Sequence, residues 1–418
     1  MNTVAAQTME VLKRYSYYPT PHVITGSSTQ AYVVTDGRPM VNFGSNSYLG
    51  IANHPKVVEA AITALRTYGL GSGASRLTAG TLDVHRRLEE EIARFKKREA
   101  AIIFSSGTLA NIGIITALAG YPLKGVTRVL EGKGVDYGDT EIFCDALNHA
   151  SIQDGIRLAS SLADAQNPCR VTFYRHREMS KVRHGLERYL SASTAASKLV
   201  ITDGVFSLHG DLAPLPQLEK LCRHYGAQLY VDDAHGTGIL GTCGRGTPEY
   251  FGVESGVDYL MGTFSKGLGG EGGFLVGSQD LCDYLRVAGR TYMFQTSMPG
   301  AVAAGLIAAI ELIDEEPWRR HAVIANADYV RNRLQNNGLS TLTSETHIIP
   351  VLIGSECHVK GVEKALDEAG VFAPCYYYPS VPRGQAIVRL NMHAEHTRED
   401  LDLAINSLVR AINLRAPI

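Results

Sequence analysis

Lys266 lies in Gly262-Thr-Phe-Ser-Lys266-Gly-Leu-Gly-Gly270, a turn of small residues that follows an apolar run. An amine held in such a turn is stripped of water, which lowers its pKa and lets the neutral form attack a carbonyl to make a Schiff base. The turn decides little by itself, because a lysine beside glycine is more often a solvated surface residue. Asp232 sharpens the reading. It ends the apolar run Gln228-Leu-Tyr-Val231 and is followed by His235 and Gly236-Thr-Gly238. A carboxylate at the end of a strand can keep a pyridine nitrogen protonated, and a protonated pyridine is what makes pyridoxal 5'-phosphate (PLP) an electron sink. His235, three residues on, is in reach of that ring's phenolic oxygen. The plain alternative for Asp232 is a cap on the following turn. The spacing DxxH with Gly-Thr-Gly is what favours a cofactor.

A phosphate needs fixed donors. Ser105-Ser-Gly-Thr-Leu-Ala-Asn111 follows one apolar run and opens another with helical character, so its backbone N–H groups form a ready anion site, and Gly107 allows close approach. An ordinary Ser/Thr cap would look the same. Thr263 is placed to add a hydroxyl. His149, in Asn148-His-Ala-Ser151, can stack on a ring or be satisfied by neighbouring backbone. His393 and His396 form an HxxH with no third ligand in view, so no metal is expected. Gly69–Ser75 (GLGSGAS) looks like a dinucleotide loop but follows a helical pattern rather than a strand, and the Rossmann context fails.

The elements that must position these residues alternate β-branched runs with helical periodicity, which predicts an α/β fold with a mainly parallel sheet. His54-Pro55 opens a helix with Val58, Ala61, Ile62 and Leu65 on one face, and Gly69 stops it. Leu82–Lys97 reads as another, with Leu88, Ile92 and Phe95 inward. Strands are predicted at Ala101–Phe104, Glu141–Cys144, Leu199–Thr202, Gln228–Val231, Asp258–Met261 and Gly273–Gly277. The first five are each followed by a polar, glycine-punctuated segment. Ligands of open α/β sheets bind outside the carboxyl ends of the strands, so these segments predict one shared site. A helix at about Gly300–Ile313 leads to a smaller C-terminal α+β domain with strands at Ile348–Ile353 and Ile387–Leu390. There Thr397-Arg-Glu-Asp400 reads as a capping box. The expected division is an N-terminal segment 1–55, a large PLP-binding domain 56–298 and a small domain 299–418.

The chain has 418 residues, 40 basic and 42 acidic, with a formal charge of -2 and no block of like charge, so nothing points to nucleic acid or a membrane surface. Seven scattered cysteines without a CxxC suit reduced thiols in a cytoplasmic protein. The first residues lack the continuous apolar run of a secretory signal, and the longest apolar stretches are too short to span a bilayer.

Taken together, the motifs resemble those of the α-oxoamine synthases, a branch of the fold type I PLP transferases, over nearly the whole length. The resemblance rests on Ser45-Asn-Ser-Tyr-Leu-Gly50, Gly71–Gly80, Ser106–Asn111, Asn148–Ser151, Thr202–Ser207, Asp232–Gly238, Gly262–Gly270, Tyr378–Gly384 and Val388-Arg-Leu390. TDGVFSLHGDLAPL, VDDAHGTG and TSMP are most similar to the 8-amino-7-oxononanoate synthase branch. YYPSVPRGQ is closer to the 2-amino-3-ketobutyrate CoA ligase branch, and GTFSKGLG resembles the serine palmitoyltransferases. The resemblance implies decarboxylative condensation of an amino acid with an acyl-CoA or acyl-carrier-protein thioester to an α-amino ketone. It implies that Lys266 carries PLP, Asp232 pairs with the pyridine nitrogen, His149 stacks on the ring, and Ser207 and His235 contact the phenolic oxygen. Gly107, Thr108 and Thr263 hold the phosphate, and Thr296 or Ser297 reaches it from the other subunit of a homodimer. His149 or His235 stabilises charge during decarboxylation. Arg389 binds the amino-acid carboxylate with Asn46 nearby, and the small Ser75 leaves room for an amino acid larger than glycine.

Some segments depart from the family's pattern. Thr108 stands where many relatives carry an aromatic residue, and Gly125–Thr140 is longer than the usual connection and is expected near the acyl donor or its carrier. Cys375–Tyr378 (CYYY) lacks the arginine associated with oxononanoate synthases, and no upstream arginine before Val41 clearly matches one used for an acyl carboxylate. These features argue against a dicarboxylic acyl donor. The competing readings are a fold type I aminotransferase, which releases no CO2, and a non-catalytic scaffold subunit, which would have no need of Lys266.

Overall fold

A computed structural model describes residues 3–14, 17, 21–132, 138–165 and 167–413. The strands β1 (Ile24–Thr25), β2 (Tyr32–Thr35) and β3 (Arg38–Asn42) form an antiparallel ribbon near the N-terminus. The central sheet is built from β4 (Ala100–Phe104), β5 (Thr140–Asp145), β6 (Cys169–Tyr174), β7 (Ser197–Asp203), β8 (Gln228–Asp232), β9 (Tyr259–Thr263) and β10 (Gly273–Gly277). Its order is β4-β10-β9-β8-β7-β5-β6. The pairs among β5 to β9 are parallel, and β10 runs antiparallel to both β4 and β9. The six predicted strands are all present. The seventh, β6, has a mixed face pattern because it is the sheet's edge and only Tyr174 is buried, which hides the apolar signal.

Lys266 sits in the connection between β9 and β10, a hairpin in register with Thr263 opposite Gly273. The Phe264 N–H donates to Gly272 O across this turn, and Gly272 has a φ of 121°. A side chain there would be strained, and its Cβ would lie 2.3 Å from Met298 Cε. The turn is therefore tight because glycine permits it.

The helix Pro55–Tyr68 starts and stops where expected: the His54 ring accepts the Lys56 N–H, and Gly69 follows with a φ of 75°. Its buried face is not the expected one. Val58, Ile62 and Leu65 are 39%, 36% and 45% exposed, whereas Ala64 is buried and Val57 is half-buried. The partner is the helix Gly300–Glu315, whose Gly305 faces Val57 and Ala61: a Cβ there would already lie 3.5 Å from Val57 Cγ1 and 3.7 Å from Ala61 Cβ. Small residues let two backbones approach, and that contact outranks the larger side chains. In the helix Asp83–Phe95, Leu88, Ile92 and Phe95 are buried as expected.

At the C-terminal end β11 (Ile348–Gly354), β13 (Cys375–Tyr376) and β14 (Ala386–Asn391) make a three-stranded sheet in the order β11-β14-β13. The short β12 (Val371–Phe372) instead runs parallel to β3. This pairing lays residues 42–48 beside β14, with Asn391 N–H donating to Phe43 O at 3.0 Å. The capping box is present: Thr397 N–H donates to Asp400 Oδ2 at 2.8 Å and Asp400 N–H to Thr397 Oγ1 at 3.2 Å.

One buried ion pair joins these layers. Lys96, just past the helix Asp83–Phe95, places Nζ 2.9 Å from Asp233 Oδ2, both side chains fully enclosed. Lys96 also donates to Thr237 Oγ1 and to Arg245 O, while Asp233 accepts from the Thr247 N–H at 2.9 Å. Removing one charge strands the other without water, so Lys96→Ala is expected to lower stability by about 3–5 kcal/mol in a denaturant titration. A variant that unfolds at the wild-type midpoint would contradict this.

Candidate active site

The carboxyl ends of β4, β5, β7, β8 and β9 face one cleft of about 230 Å³. All five segments singled out by pattern contribute to it: Ser106, Gly107, Thr108 and Asn111; His149 and Ser151; Asp203, Val205 and Ser207; Asp232, Ala234 and His235; Met261, Thr263, Ser265 and Lys266. The strand ends supply polar side chains there because the sheet's own hydrogen bonding has ended.

The Lys266 amine has its pKa pulled down to about 8. Burial is the main cause, with the positive charge of Arg389 adding to it and the carboxylates of Asp232 and Asp203 opposing it. Asp232 is held in place by two bonds: Asn111 Nδ2 donates to Oδ2 at 2.7 Å, and the Ala234 N–H donates to Oδ1 at 3.0 Å. Asn111 is itself fixed by Tyr230, whose hydroxyl donates to Oδ1 at 2.7 Å. His149 caps the helix Ala150–Leu162, with Nδ1 2.7 Å from Ser151 Oγ, and burial lowers its pKa so that the ring is neutral.

Opposite these lies the first turn of the helix Gly107–Gly120. Ser106 caps it, its Oγ accepting the Leu109 N–H and its carbonyl the Ala110 N–H. Among the described residues that leaves the N–H groups of Gly107 and Thr108 as the unpaired donors of a helix N-terminus. A Cβ on Gly107 would meet Thr263 Oγ1 at 3.3 Å, so the cradle is already close-fitting. Thr263 donates to Gly272 O at 2.6 Å, and Ser265 stands beside it.

Arg389 and Asn46 do not line the deep cleft but stand next to it, brought together by the β3–β12 and β14 arrangement. Arg389 Nη2 donates to Asn46 Oδ1 at 2.7 Å and Nε to Asn391 Oδ1 at 2.9 Å. Tyr376, from the CYYY segment, has its hydroxyl 3.4 Å from Nη1. Ser75, Thr296 and Ser297 lie outside the cleft lining of their own chain. Ser75 and Thr296 form an isolated β-bridge, Ser297 N–H donates to Ala74 O at 3.0 Å, and Thr296 is exposed. His393 and His396 direct Nε2 to the backbone oxygens of Thr29 and Asn42. Of the Gly125–Thr140 segment, residues 133–137 lie outside the described residues. The part before them forms the helix Lys124–Glu131, which has no buried residue.

Some site residues carry no signal at the level of single positions. Asp203 accepts the His149 N–H at 3.1 Å through Oδ2, while Oδ1 is buried with no hydrogen-bond partner among the described residues. Burial first, and then the nearby Asp232, push its pKa well above the carboxylate range, so it is held as the neutral acid. His176 lies between Asp145 and Asp211 at 3.0 and 2.8 Å; burial works against its charge, but the two carboxylates raise its pKa to about 9. It thereby braces the loop of His149 against the turn of Ser207. Pattern reasoning had TDGVFS in hand, but only the fold shows which carboxylate faces the cleft.

The model of the aminotransferase class I and II family matches residues 38–408. An 8-amino-7-oxononanoate synthase of Geobacter metallireducens is 41% identical over 414 residues, covering 99% of this chain and 98% of that protein. One from Thermoanaerobacter pseudethanolicus is 39% identical over 399 residues, covering 96% and 94%. Among solved structures, a serine palmitoyltransferase of Sphingomonas wittichii superposes with a TM-score of 0.86 at 30% identity, covering 98% of this chain and 96% of that one. A high-resolution SPT structure with PLP gives 0.85 at 29% identity, with the same coverage.

The depressed pKa predicts the reactivity of Lys266. In cofactor-free protein its acylation by a small anhydride should rise with pH through a midpoint near 8, since only the neutral amine attacks. Mass spectrometry of the labelled peptide reads this directly, and a midpoint in the ordinary lysine range would contradict it.

Proposed function

Because the chain belongs to the aminotransferase class I and II family, we propose that its cleft holds PLP and that it condenses an amino acid with an acyl thioester, as 8-amino-7-oxononanoate synthases do. The observation that carries this reading is the placement of Lys266 and Asp232 at the ends of the paired strands β9 and β8, across one cleft from the free first-turn donors of the helix Gly107–Gly120. The fold is that of the fold type I PLP transferases. The donor set fits the cofactor: a carboxylate for the ring nitrogen, amides and hydroxyls for a phosphate, and an amine of lowered pKa for the aldehyde.

PLP, when bound, supplies the sink for electrons released at the amino acid's α-carbon. Asp232 would hold the pyridine nitrogen, and Gly107, Thr108 and Thr263 the phosphate. His149 would stack on the ring, and Ser207 and His235 would hold the phenolic oxygen. Arg389 takes the substrate carboxylate, exchanging its bond to Asn46 for one to the ligand. Lys266 removes the α-proton and returns one at the end, a role that a pKa near 8 suits. The α-carbon bonds to the acyl carbonyl carbon, the C–S bond breaks, and the thiol leaves. The carboxylate departs as CO2, a proton takes its place, and the product is an α-amino ketone. His149 or His235, both neutral, donates toward the charge that develops.

We assign the acyl donor as a CoA or carrier-protein thioester and the assembly as a homodimer. The exposed Thr296, or Ser297, would then reach the phosphate in the partner's site, and the small, half-buried Ser75 beside Thr296 would leave room for an amino acid larger than glycine. Support for the dimer is the apolar surface around them: Leu70 is 86% exposed and Phe294 71%, close in sequence to Ser75 and Thr296. Division into 1–55, 56–298 and 299–418 is supported by the central sheet falling wholly within residues 100–277. Seven free cysteines support a cytoplasmic setting. Among the described residues no single helix is long and apolar enough to cross a membrane.

An amino-acid screen that follows the visible absorbance of the PLP-loaded protein, then a thioester screen that follows free thiol and CO2, tests the reaction. The expected result is both products in equal amounts, lost in Lys266→Ala. A keto acid in place of CO2 would make the protein an aminotransferase. For the carboxylate site, Arg389→Ala is expected to weaken amino-acid binding by about 10–100-fold while PLP affinity stays nearly unchanged. Equal loss of both would remove Arg389 from this role.

A further inference from the structure

Tyr48 has no place in the reaction as described, yet it touches both ends of the site. It is fully enclosed in the segment that follows β3, with its hydroxyl 2.7 Å from His235 Nδ1 and 3.2 Å from Asn46 Oδ1. Its ring meets His347 edge-on at 4.2 Å. One phenolic proton cannot go to both neighbours. Asn46 Oδ1 already accepts Arg389 Nη2 at 2.7 Å and Asn391 Nδ2 at 3.2 Å, which occupies the two lone pairs of an amide oxygen. The shorter contact and the open lone pair are both at His235.

We propose that Tyr48 is a positioning residue for His235: its hydroxyl donates to Nδ1, so the ring proton sits on Nε2 and the imidazole presents an N–H to the cleft. The inference rests on the PLP reading of that cleft. A neutral imidazole has one donor and one acceptor, and a fixed partner on one nitrogen decides which the other is. His235 is neutral because it is buried and, next in weight, because the basic groups of Lys266 and Arg389 stand near it. Tyr48 keeps its proton, since burial drives its pKa well above the usual phenol value. Nε2 has no hydrogen-bond partner among the described residues, and His235 lines the cleft. An N–H at that point stabilises an anionic phenolic oxygen, whereas a lone pair would repel it. The same hydroxyl joins Arg389 and Asn46 to His235, so the carboxylate end of the site and the ring-oxygen end share one buried chain of contacts.

The test compares wild type, Tyr48→Phe and Tyr48→Gln, each loaded with PLP, by the pH dependence of the bound cofactor's visible absorbance. Phenylalanine keeps the ring against His347 and loses the donor; glutamine keeps a donor and loses the ring. Losing the donor is expected to raise the midpoint by about one pH unit, the size of one net hydrogen bond, while glutamine stays closer to wild type than phenylalanine does. Either variant decides the matter alone if the other fails to fold. A wild-type midpoint in the phenylalanine variant, or a full shift in the glutamine variant, overturns the role, because packing rather than the proton would then matter. A wild-type protein with no visible band would instead overturn the reading of the cleft itself.

Discussion

Successive residues of a strand point to opposite faces, and the pair Asp232-Asp233 at the end of β8 uses this to place two carboxylates in opposite environments. Asp233 turns away from the cleft onto Lys96, where the two charges are fully enclosed. Such a pair is a poor source of net stability, since both ions lose water, but it is costly to disturb once formed. That cost pins the segment from Asp233 to Thr247 through the Thr237 and Thr247 hydroxyls. Asp232 is then presented to the cleft on a backbone that cannot relax. The adjacent connection that carries Lys266 is set by pairing of β9 with β8 and β10.

From that anchor the electrostatics of the cleft follow. Burial favours the neutral amine at Lys266, and the two nearest carboxylates temper the effect. Because Asp203 is also driven toward its neutral form, the cleft does not carry two full negative charges side by side on β7 and β8, where Asp203 and Asp232 are cross-strand neighbours. With His149 and His235 both neutral, Lys266 and Arg389 are the basic groups at the cleft and beside it. The first turn of the helix Gly107–Gly120 lines the same cleft as Lys266.

The route by which Arg389 reaches this cleft is a property of the tertiary structure. It comes from β14, its partner Asn46 comes from the segment after β3, and the two meet because β12 pairs with β3. The CYYY segment, which carries no arginine, is β13 and its continuation. Through Tyr376 it puts an aromatic hydroxyl, rather than a further cation, beside the Arg389 guanidinium.

Much of this was written in local pattern. Five strand-end segments rich in glycine and polar residues do converge, because parallel strands must all end on the same side of a sheet. Lys266, Asp232, His149, Ser207 and His235 could be picked out for that reason. Other features were beyond a linear reading. Periodicity marked an apolar face on the helix Pro55–Tyr68, but the close approach of a glycine- and alanine-rich neighbour decided which face is buried. The edge strand β6 has too little burial to show a pattern. The roles of Asp203, Asn111 and Tyr48 depend on contacts between residues 40 to nearly 190 positions apart, and the mutual burial that shifts their proton affinities exists only once the chain has closed. Residue types and local spacing determined which chemistry this protein carries; three-dimensional packing alone decided which of its acids, bases and hydroxyls face one another, because desolvation and hydrogen bonding act through space and not along the chain.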